Sequence, residues 1–246
     1  MRVTVLGAGD AFCSGGRRHS GYFVEAGGVG FLLDCGATTL QGLKALGIAA
    51  ERIDFIAISH LHGDHFGGLP FLFLEYTYEK LRTKPLVIIG PPGLEQRVRN
   101  LYSAMYRELA ARGMAFPLHF FEVTPGKEKT SHGVTLLPFR VPHQEKDISL
   151  GYRAAVDGKT ILYSGDCGWN DDLVARSRGT DLFICECCYF ATSTNFHVSY
   201  PQIARAYQQG QLGCKRLVLS HIGREVLERI EEVTIECAHD GLVIEV

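Results

Sequence analysis

The sequence predicts an α/β protein in which helices cover the outer faces of two β-sheets. Short apolar runs rich in Val, Ile and Phe, many of them bounded by turn residues, are typical of strands. Longer stretches with helical periodicity alternate with these runs in both halves of the chain. No low-complexity linker, strong charge run or tandem repeat divides the chain, so we expect a single domain over residues 1–246.

Twelve apolar runs are predicted to be strands. They are Arg2–Leu6, Gly21–Ala26, Val29–Asp34, Asp54–Ser59, Leu86–Ile89, Leu118–Val123, Val134–Val141, Ser149–Val156, Thr160–Ser164, Leu182–Cys185, Arg216–Leu219 and Leu242–Val246. Asp157 and Gly158 predict a hairpin turn, because this pair suits the positive φ angles that such turns require. Gly27 and Gly28 indicate a second hairpin.

Six segments are predicted to be helices. They are Thr38–Leu46, Phe66–Leu81, Leu94–Arg112, Trp169–Arg176, Tyr200–Gln209 and Arg224–Ile230. Pro91, Pro92 and Gly93 would stop the preceding strand and open the helix at Leu94.

The composition is that of an ordinary soluble globular protein, with 46% hydrophobic and 21% charged residues among 246. The net charge of −2 provides no global positive field to attract nucleic acid. No apolar run approaches the roughly 20 residues that span a bilayer, and the N-terminus lacks the features of a secretory signal. We therefore expect a cytoplasmic protein with no membrane partner.

The eight cysteines are scattered through the chain, which favours reduced thiols over a disulfide scaffold. They are Cys13, Cys35, Cys167, Cys185, Cys187, Cys188, Cys214 and Cys237. The run DLFICECCYF is either a soft-metal cluster or a buried strand that uses cysteine as a small hydrophobic residue. No second pair at zinc-finger spacing accompanies it, so we favour the buried strand.

The segment DFIAISHLHGDHFGGLP carries four ligand-type residues within six positions: His60, His62, Asp64 and His65. Zinc favours imidazole nitrogen and carboxylate oxygen as ligands. An extended loop can direct His60 and His62 at one ion, while Asp64 and His65, turning into a helix, can face a second. Gly63 permits the tight backbone path. A chance cluster of this kind is much less common than a metal site, so the segment predicts metal binding.

This motif resembles the His-x-His-x-Asp-His signature of the metallo-β-lactamase-fold hydrolases. The resemblance runs through nearly the whole chain, from VTVLGAGDA and LLDCG through SHLHGDHFGGLP, VPH, LYSGD and LSHI to AHDGLVIEV. It implies a four-layer αβ/βα sandwich of two mixed sheets. The branch that it most resembles is that of ribonuclease Z-like enzymes and cyclic phosphodiesterases.

Carried over position by position, the resemblance implies three further metal ligands: His143 for the first metal, Asp166 bridging both, and His221 for the second. It also implies that Asp34 orients a ligand imidazole, although a structural role is nearly as plausible. Some true β-lactamases in the family have a cysteine where this chain has Asp166; here Cys167 is only adjacent. An all-His/Asp site is similar to the phosphodiesterase and thioester-hydrolase branches.

Two divalent cations would lower the pKa of a bridging water and stabilise charge on the attacked centre, so we expect hydrolysis by a metal-bridging hydroxide. Zn²⁺ is the favoured metal, with Mn²⁺ or Fe²⁺ as alternatives. Asp64 could orient the hydroxide or accept its proton. His197 resembles the proton donor of the ribonuclease Z branch, with Glu186 placed to orient it; the alternative is a surface histidine that caps the helix near Tyr200.

The expected substrates are small or cyclic nucleotide phosphodiesters, or RNA. In many bacterial members of the ribonuclease Z branch a long tRNA-clamping arm lies between the segments that match His143 and Asp166, but here only 22 residues separate them. A tRNA 3′-processing endoribonuclease is therefore an alternative, and a thioester or lactone hydrolase of the glyoxalase II type is another. A homodimer is expected by analogy with the family.

Phosphate-binding residues are harder to predict. Arg17 and Arg18 lie in a glycine-rich loop that can approach the site in this family, and Arg224 closely follows His221. Each is equally well explained as a solvated surface charge.

Overall fold

The computed structural model describes all 246 residues and confirms two mixed sheets with helices on their outer faces. The thirteen strands are β1 Arg2–Gly7, β2 Gly21–Ala26, β3 Val29–Leu33, β4 Phe55–Ala57, β5 Leu86–Gly90, β6 Leu118–Glu122, β7 Lys129–Ser131, β8 Val134–Val141, β9 Ser149–Val156, β10 Lys159–Tyr163, β11 Leu182–Glu186, β12 Arg216–Ser220 and β13 Val243–Glu245. The strand β7 was not predicted, because its sequence Lys-Thr-Ser contains no apolar residue.

The α-helices are α1 Thr39–Ala45, α2 Gly63–Phe66, α3 Leu69–Leu74, α4 Leu94–Met105, α5 Arg107–Arg112, α6 Asp171–Ser177, α7 Tyr200–Gln208 and α8 Arg224–Glu228. Three short 3₁₀ turns and one π-helical turn complete the helical structure: Ser14–Gly16, Ala50–Arg52, Ile230–Glu232 and the π-turn Glu75–Glu79. None of the helices has both the length and the apolar character needed to cross a bilayer.

The first sheet has the strand order β13-β1-β2-β3-β4-β5-β6. Its strands β1 to β3 pair antiparallel, whereas β3 to β6 pair parallel. The second sheet has the order β12-β11-β10-β9-β8-β7, with antiparallel pairs from β7 to β10 and parallel pairs from β10 to β12. The last strand, β13, returns to the first sheet and pairs with β1, so the chain crosses between the sheets twice.

The hairpin turns form as predicted. Asp157 has φ of 51° and Gly158 has φ of 71°, while Gly27 and Gly28 have φ of 60° and 77°. Two successive positive φ angles are those of a type I′ turn, whose twist matches that of the flanking strands.

The central core lies between the two sheets and contains buried tyrosines whose hydroxyl groups bond across it. Tyr22 donates to Ser220 Oγ at 2.6 Å, and Tyr152 donates to the carbonyl oxygen of Ile58 at 2.9 Å. Each bond joins one sheet, or the loop at its edge, to the other sheet. Because a buried hydroxyl must find a partner, these bonds fix the sheets relative to each other as well as filling the core.

Two outer cores hold the helices against the sheets. Leu69, Phe73 and Tyr102 pack α3 and α4 on the first sheet. On the second sheet, Leu173 and Ile203 pack α6 and α7 in the same way. The order of layers is therefore helices, sheet, sheet, helices.

The predicted helix Phe66–Leu81 is wrong as a single element, because the structure divides it into α2, α3 and the π-turn. At the break, the amide of Gly68 donates to the carbonyl oxygen of Cys35 at 2.8 Å. A Cβ atom on Gly68 would lie only 2.1 Å from the carbonyl oxygen of Gly36. The glycine therefore allows the loop after β3 to approach the helix closely, and this contact ends the helical hydrogen bonding.

The predicted helix Leu94–Arg112 also divides, at Tyr106, whose φ is −138° and ψ is 63°. The ring of Tyr106 packs against the first sheet's outer core, with its centroid 5.9 Å from that of Tyr102. No glycine or proline marks this break between residues 100 and 112, so the local sequence pattern could not predict it.

Candidate metal centre

Strand ends bring the predicted site residues together at one edge of the sandwich. His60, His62, Asp64 and His65 follow β4 in the first sheet. The remaining three residues follow strands of the second sheet: His143 comes after β8, Asp166 after β10 and His221 after β12. The carboxyl ends of parallel strands meet at the same edge, which is where side chains from distant parts of a chain converge. All seven side chains lie in two neighbouring groups.

The first group, which we call the histidine group, consists of His60, His62 and His143. Their candidate ligand atoms lie within 4.8 Å of one another. His62 Nδ1 is 3.0 Å from His60 Nε2 and 3.1 Å from His143 Nε2. Burial lowers the pKa of His60 well below its ordinary value and lowers that of His143 to about 4. Burial lowers the pKa of His62 as well, so it favours the neutral form of all three imidazoles, whose ring nitrogens point toward one another.

The second group, which we call the mixed group, consists of Asp64, His65, Asp166 and His221. His65 Nε2 lies 3.2 Å from Asp64 Oδ2 and 3.2 Å from Asp166 Oδ1. His221 Nε2 lies 3.4 Å from Asp64 Oδ2 and 3.2 Å from Asp166 Oδ2. Two carboxylates and two imidazoles thus surround a second point, and all four residues are buried.

Asp166 lies between the two groups. Its Oδ2 atom is 3.9 Å from His60 Nε2 and 3.9 Å from His143 Nε2, in addition to its contacts in the mixed group. This is the position that the sequence resemblance implies for a bridging carboxylate.

The donors fit divalent cations on three grounds. The His65 Nε2 and Asp166 Oδ1 atoms are buried without a hydrogen-bond partner, which is costly unless another group binds them. Asp64 and Asp166 form no ion pair with any lysine or arginine. In addition, zinc–nitrogen bonds of 2.0–2.1 Å at tetrahedral angles separate ligand nitrogens by about 3.3 Å, close to the spacing in the histidine group.

Asp34 supports the mixed group, as the sequence suggested. It is fully buried, and its Oδ2 atom lies 2.7 Å from His65 Nδ1. The same carboxylate accepts hydrogen bonds from the amide and hydroxyl groups of Ser59 and from Tyr163 Oη. A carboxylate in this position fixes the tautomer and the orientation of an imidazole whose other nitrogen binds a metal.

The supporting contacts of the histidine group were not predicted. His143 Nδ1 donates to the carbonyl oxygen of Phe196 at 2.8 Å, and Gln144 Nε2 lies 2.9 Å from His62 Nε2. Tyr163, beside Asp34, was missed as well. For Gln144, the only signal in the sequence was its position directly after His143. The carbonyl oxygen of Phe196 and the hydroxyl of Tyr163 had no signal in the sequence that could have predicted their contacts.

His197 lies beside both groups and is held by Glu186. Its Nδ1 atom is 2.8 Å from Glu186 Oε1. Glu186 is 2% exposed and also accepts hydrogen bonds from the amides of Cys167, Cys188 and Val198. One nitrogen of His197 lies within 4.8 Å of candidate ligand atoms of His143 and Asp166. The helix cap of the alternative interpretation is formed instead by Ser199, together with Gln202.

The environment of His197 acts on its pKa in two directions. Burial opposes the charged imidazolium, but the hydrogen bond and the negative charge of Glu186 outweigh burial and raise the pKa above its ordinary value. His197 therefore keeps its proton to a higher pH than a free imidazole does.

The cysteine-rich run is part of a buried strand and its extension. Cys185 and Cys187 are buried in the core between the second sheet and its helices. Cys188 differs, because its sulfur lies within 4.8 Å of imidazole nitrogens of His197 and His221. All eight cysteines are free thiols.

The arginines considered as phosphate contacts have other partners. Arg17 donates to the carbonyl oxygen of Ala238 and Arg18 to that of Leu6. Arg224 pairs with Glu228 on the exposed face of α8. Arg17 and Arg18 thus hold the N-terminal loop against the rest of the chain.

The fold and the site together define the class of protein. The structure matches the short form of human tRNase Z with a TM-score of 0.80 and 27% identity, over 100% of this chain and 99% of that protein's chain. It matches the metallo-β-lactamase-fold protein YhfI from Bacillus subtilis over 99% of both chains, with a TM-score of 0.78 and 22% identity. The protein is a metal-dependent hydrolase of the metallo-β-lactamase fold, and its His/Asp cluster is suited to two metal ions.

The sequence comparisons define the family more narrowly. Ribonuclease Z from Mycobacterium bovis is 28% identical over 193 residues, which are 75% of this chain and 69% of that protein. The family model described as anti-Pycsar protein Apyc1 matches residues 1–235. The chain belongs to this family, within the ribonuclease Z-like part of the superfamily that the sequence motifs indicated.

Proposed function

We propose that this protein is a dinuclear metal-dependent phosphodiesterase acting on small or cyclic nucleotide phosphodiesters. The observation that carries the proposal is the His197–Glu186 pair beside the seven His and Asp side chains. A ribose alkoxide is a poor leaving group unless it receives a proton, whereas a thiolate, whose conjugate acid has a pKa near 8.5, leaves without one. A proton donor at this position therefore favours phosphodiester over thioester hydrolysis.

In this proposal the histidine group would hold one cation and the mixed group the other, with Asp166 lying between the two groups. When bound, the two cations would supply Lewis acidity and a water of lowered pKa. Zinc is our proposed metal, because imidazole and carboxylate are its usual protein ligands besides thiolate; manganese or iron would suit the same donors.

The chain's own residues move the protons. In this proposal Asp64, which is 8% exposed, accepts a proton from the attacking water. His197 gives a proton to the leaving oxygen from the ring nitrogen that faces the metal centre. Glu186 accepts the hydrogen bond of the other ring nitrogen, which orients the ring and favours its charged form.

The short chain segment between His143 and Asp166 bears on the size of the substrate. The strands β9 and β10 and their tight turn occupy most of the 22 intervening residues, which leaves no room for an inserted arm. With a net charge of −2, the protein also lacks a global attraction for a long polyanion. Both features support a small substrate.

A tRNA 3′-end endoribonuclease is the second candidate. It is supported by the 28% identity to ribonuclease Z from Mycobacterium bovis and by the likeness to human tRNase Z. The compact connection and the charge argue against it. A homodimer remains a prediction by analogy with the family.

One assay panel tests these proposals. The zinc- or manganese-loaded protein is given 2′,3′- and 3′,5′-cyclic nucleotides, bis(p-nitrophenyl) phosphate, precursor tRNA, an acyl-glutathione and a β-lactam. We expect hydrolysis of the cyclic nucleotides and of the aryl diester. Cleavage of precursor tRNA alone would establish the second candidate, and activity confined to the acyl compounds would refute both.

A further inference from the structure

A cavity of about 640 Å³ lies directly beside His143, on the flank of the second sheet. We call it the lateral cavity. The lining residues nearest to the argument are His143, Gln144, Asn170, Asn195 and Phe196. The volume falls within the range of about 300–1,000 Å³ that is usual for small-molecule sites.

The lateral cavity is joined to the metal centre through its lining residues. His143 belongs to the histidine group, and Gln144 contacts His62 of the same group at 2.9 Å. The carbonyl oxygen of Phe196 accepts the hydrogen bond of His143 Nδ1, and the next residue is His197. A ligand bound at the metal centre would therefore lie next to this cavity, with His143 and Gln144 as their shared boundary.

The charged side chains of the cavity disfavour a phosphate group there. Its one cation, Arg140, is outnumbered by three carboxylates, those of Glu145, Asp171 and Asp172. Asp172 is partly offset by Arg176, 3.6 Å away, but the other two acidic side chains form no ion pair. An anion would meet repulsion here, so the cavity suits a neutral part of the substrate that carries hydrogen-bond donors.

The remaining lining offers a planar apolar surface and free amide groups. Phe196 is 44% exposed, although a large aromatic side chain usually gains by burial. Asn195 is exposed and its side chain makes no hydrogen bond within the protein, while Asn170 uses only Nδ2, which donates to the carbonyl oxygen of Gly168. An aromatic face with adjacent amides can stack and hydrogen-bond a heterocycle.

We propose that the lateral cavity holds the nucleobase of the substrate, stacked on Phe196, while the phosphodiester group lies at the metal centre. This inference rests on the proposed phosphodiesterase function and adds where the neutral part of the nucleotide binds. Phe196 is then a residue that determines specificity, distinct from the residues that move protons.

The test compares two esters with the same leaving group. Thymidine 5′-(p-nitrophenyl phosphate) carries a nucleoside, whereas methyl p-nitrophenyl phosphate does not, and both release p-nitrophenolate. Phe196→Ala in the metal-loaded protein should lower kcat/KM for the thymidine ester by about 5- to 150-fold, chiefly through KM, because base–aromatic stacking is of that strength. The methyl ester should lose much less than the thymidine ester, because it carries no nucleobase for the Phe196 ring to contact.

Phe196→Tyr keeps an aromatic ring and should retain the preference, while Phe196→Leu keeps an apolar side chain without a ring and should lose it. Equal losses on both esters, or an unchanged thymidine ester, would overturn the inference. Failure of the wild-type protein to hydrolyse either ester would instead refute the proposed function. In that case, calorimetric titration of wild type and Phe196→Ala with thymidine 5′-monophosphate and with inorganic phosphate still measures nucleobase binding; equal affinities of the two proteins for the nucleotide would again overturn the inference.

Discussion

His197 and Glu186 show how one buried carboxylate can organise a functional side chain. Three backbone amides and an imidazole surround the Glu186 carboxylate, so its position is fixed by the chain on either side of it. Hydrogen bonds to a charged group are about twice as strong as those between neutral groups. The orientation of His197 is therefore determined by the fold, and its contribution can be measured by substitution.

His197→Ala should lower kcat for phosphodiester hydrolysis by about 10²- to 10⁴-fold, the usual contribution of a general acid. The metal content should remain that of the wild type, because His197 belongs to neither the histidine group nor the mixed group as we assign them. Steady-state kinetics and atomic absorption measure the two quantities. His119→Ala, an exposed histidine on β6, is the matched control and should change neither. An equal loss of metal and activity in His197→Ala would assign the residue to metal binding.

Glu186→Gln should change the pH dependence of the reaction. Glu186 raises the pKa of His197, so replacing its charge by a neutral amide should lower that pKa. The imidazolium form is then lost at a lower pH, and the alkaline limb of the kcat profile should move toward lower pH. Glu228→Gln, on the exposed face of α8, should leave the profile unchanged. If the alkaline limb of the kcat profile does not move, the group that titrates there is not His197.

Much of the site could be predicted from residue types and order. The motif around His60 places four metal-ligand residues within six positions. Apolar runs in the sequence predict the strands that end just before His143, Asp166 and His221. Contacts that depend on packing between distant segments could not be predicted. Gln144 on His62 and Tyr163 on Asp34 follow from how the two sheets face each other, which no local pattern contains.

At the scale of elements, turn chemistry was the most reliable guide. The strands β2, β8 and β9 have the predicted bounds, and β9 is joined to β10 by a tight turn with two positive φ angles. Prediction failed where a tertiary contact interrupts a continuous helical pattern, as at Gly68 and Tyr106. There, the close approach of the Cys35–Gly36 loop or the packing of an aromatic ring decides where the helix ends.

Gly158→Ala should destabilise the protein by about 1 kcal/mol, because alanine is strained at the φ of 71° that the β9–β10 turn requires. No atom lies within 4 Å of the position that the added Cβ would occupy, so the cost is one of backbone strain alone. Urea denaturation measures it as a lower midpoint with an unchanged slope.

Asp157→Gly is the matched control in the same turn. Glycine readily adopts the φ of 51° at this position, so the folded turn is not strained. The change in its free energy of unfolding should therefore be smaller than that of Gly158→Ala. A larger loss for Asp157→Gly would show that the aspartate side chain, rather than the backbone angle, stabilises the turn.

For the whole molecule, removal of bound metal should lower the unfolding temperature. Two buried carboxylates, four buried imidazoles and the exposed His62 form the proposed site. Binding to the folded state alone stabilises it by about 3–4 kcal/mol per ion when free metal exceeds Kd by 100- to 1,000-fold. For a chain of this length, even one such ion corresponds to a shift of about 5–15 °C. Calorimetry of the metal-loaded and chelator-treated protein measures the shift.

Asp166→Ala removes the residue between the two groups and should abolish most of that shift, whereas His197→Ala should preserve it. Identical unfolding temperatures with and without chelator would contradict a metal site at this edge of the sandwich.

The seven side chains are divided between the sheets, four from the first and three from the second. The distance between the two proposed ion positions therefore depends on the distance between the two sheets. Buried tyrosines such as Tyr22 and Tyr152, whose hydrogen bonds connect the sheets, help to set that distance although they are not among the seven side chains. Closely packed interiors transmit small displacements, and an error of about 1 Å at a reacting centre can cost a hundredfold in rate. A substitution in the central core can therefore leave the stability of the fold almost unchanged and still abolish catalysis.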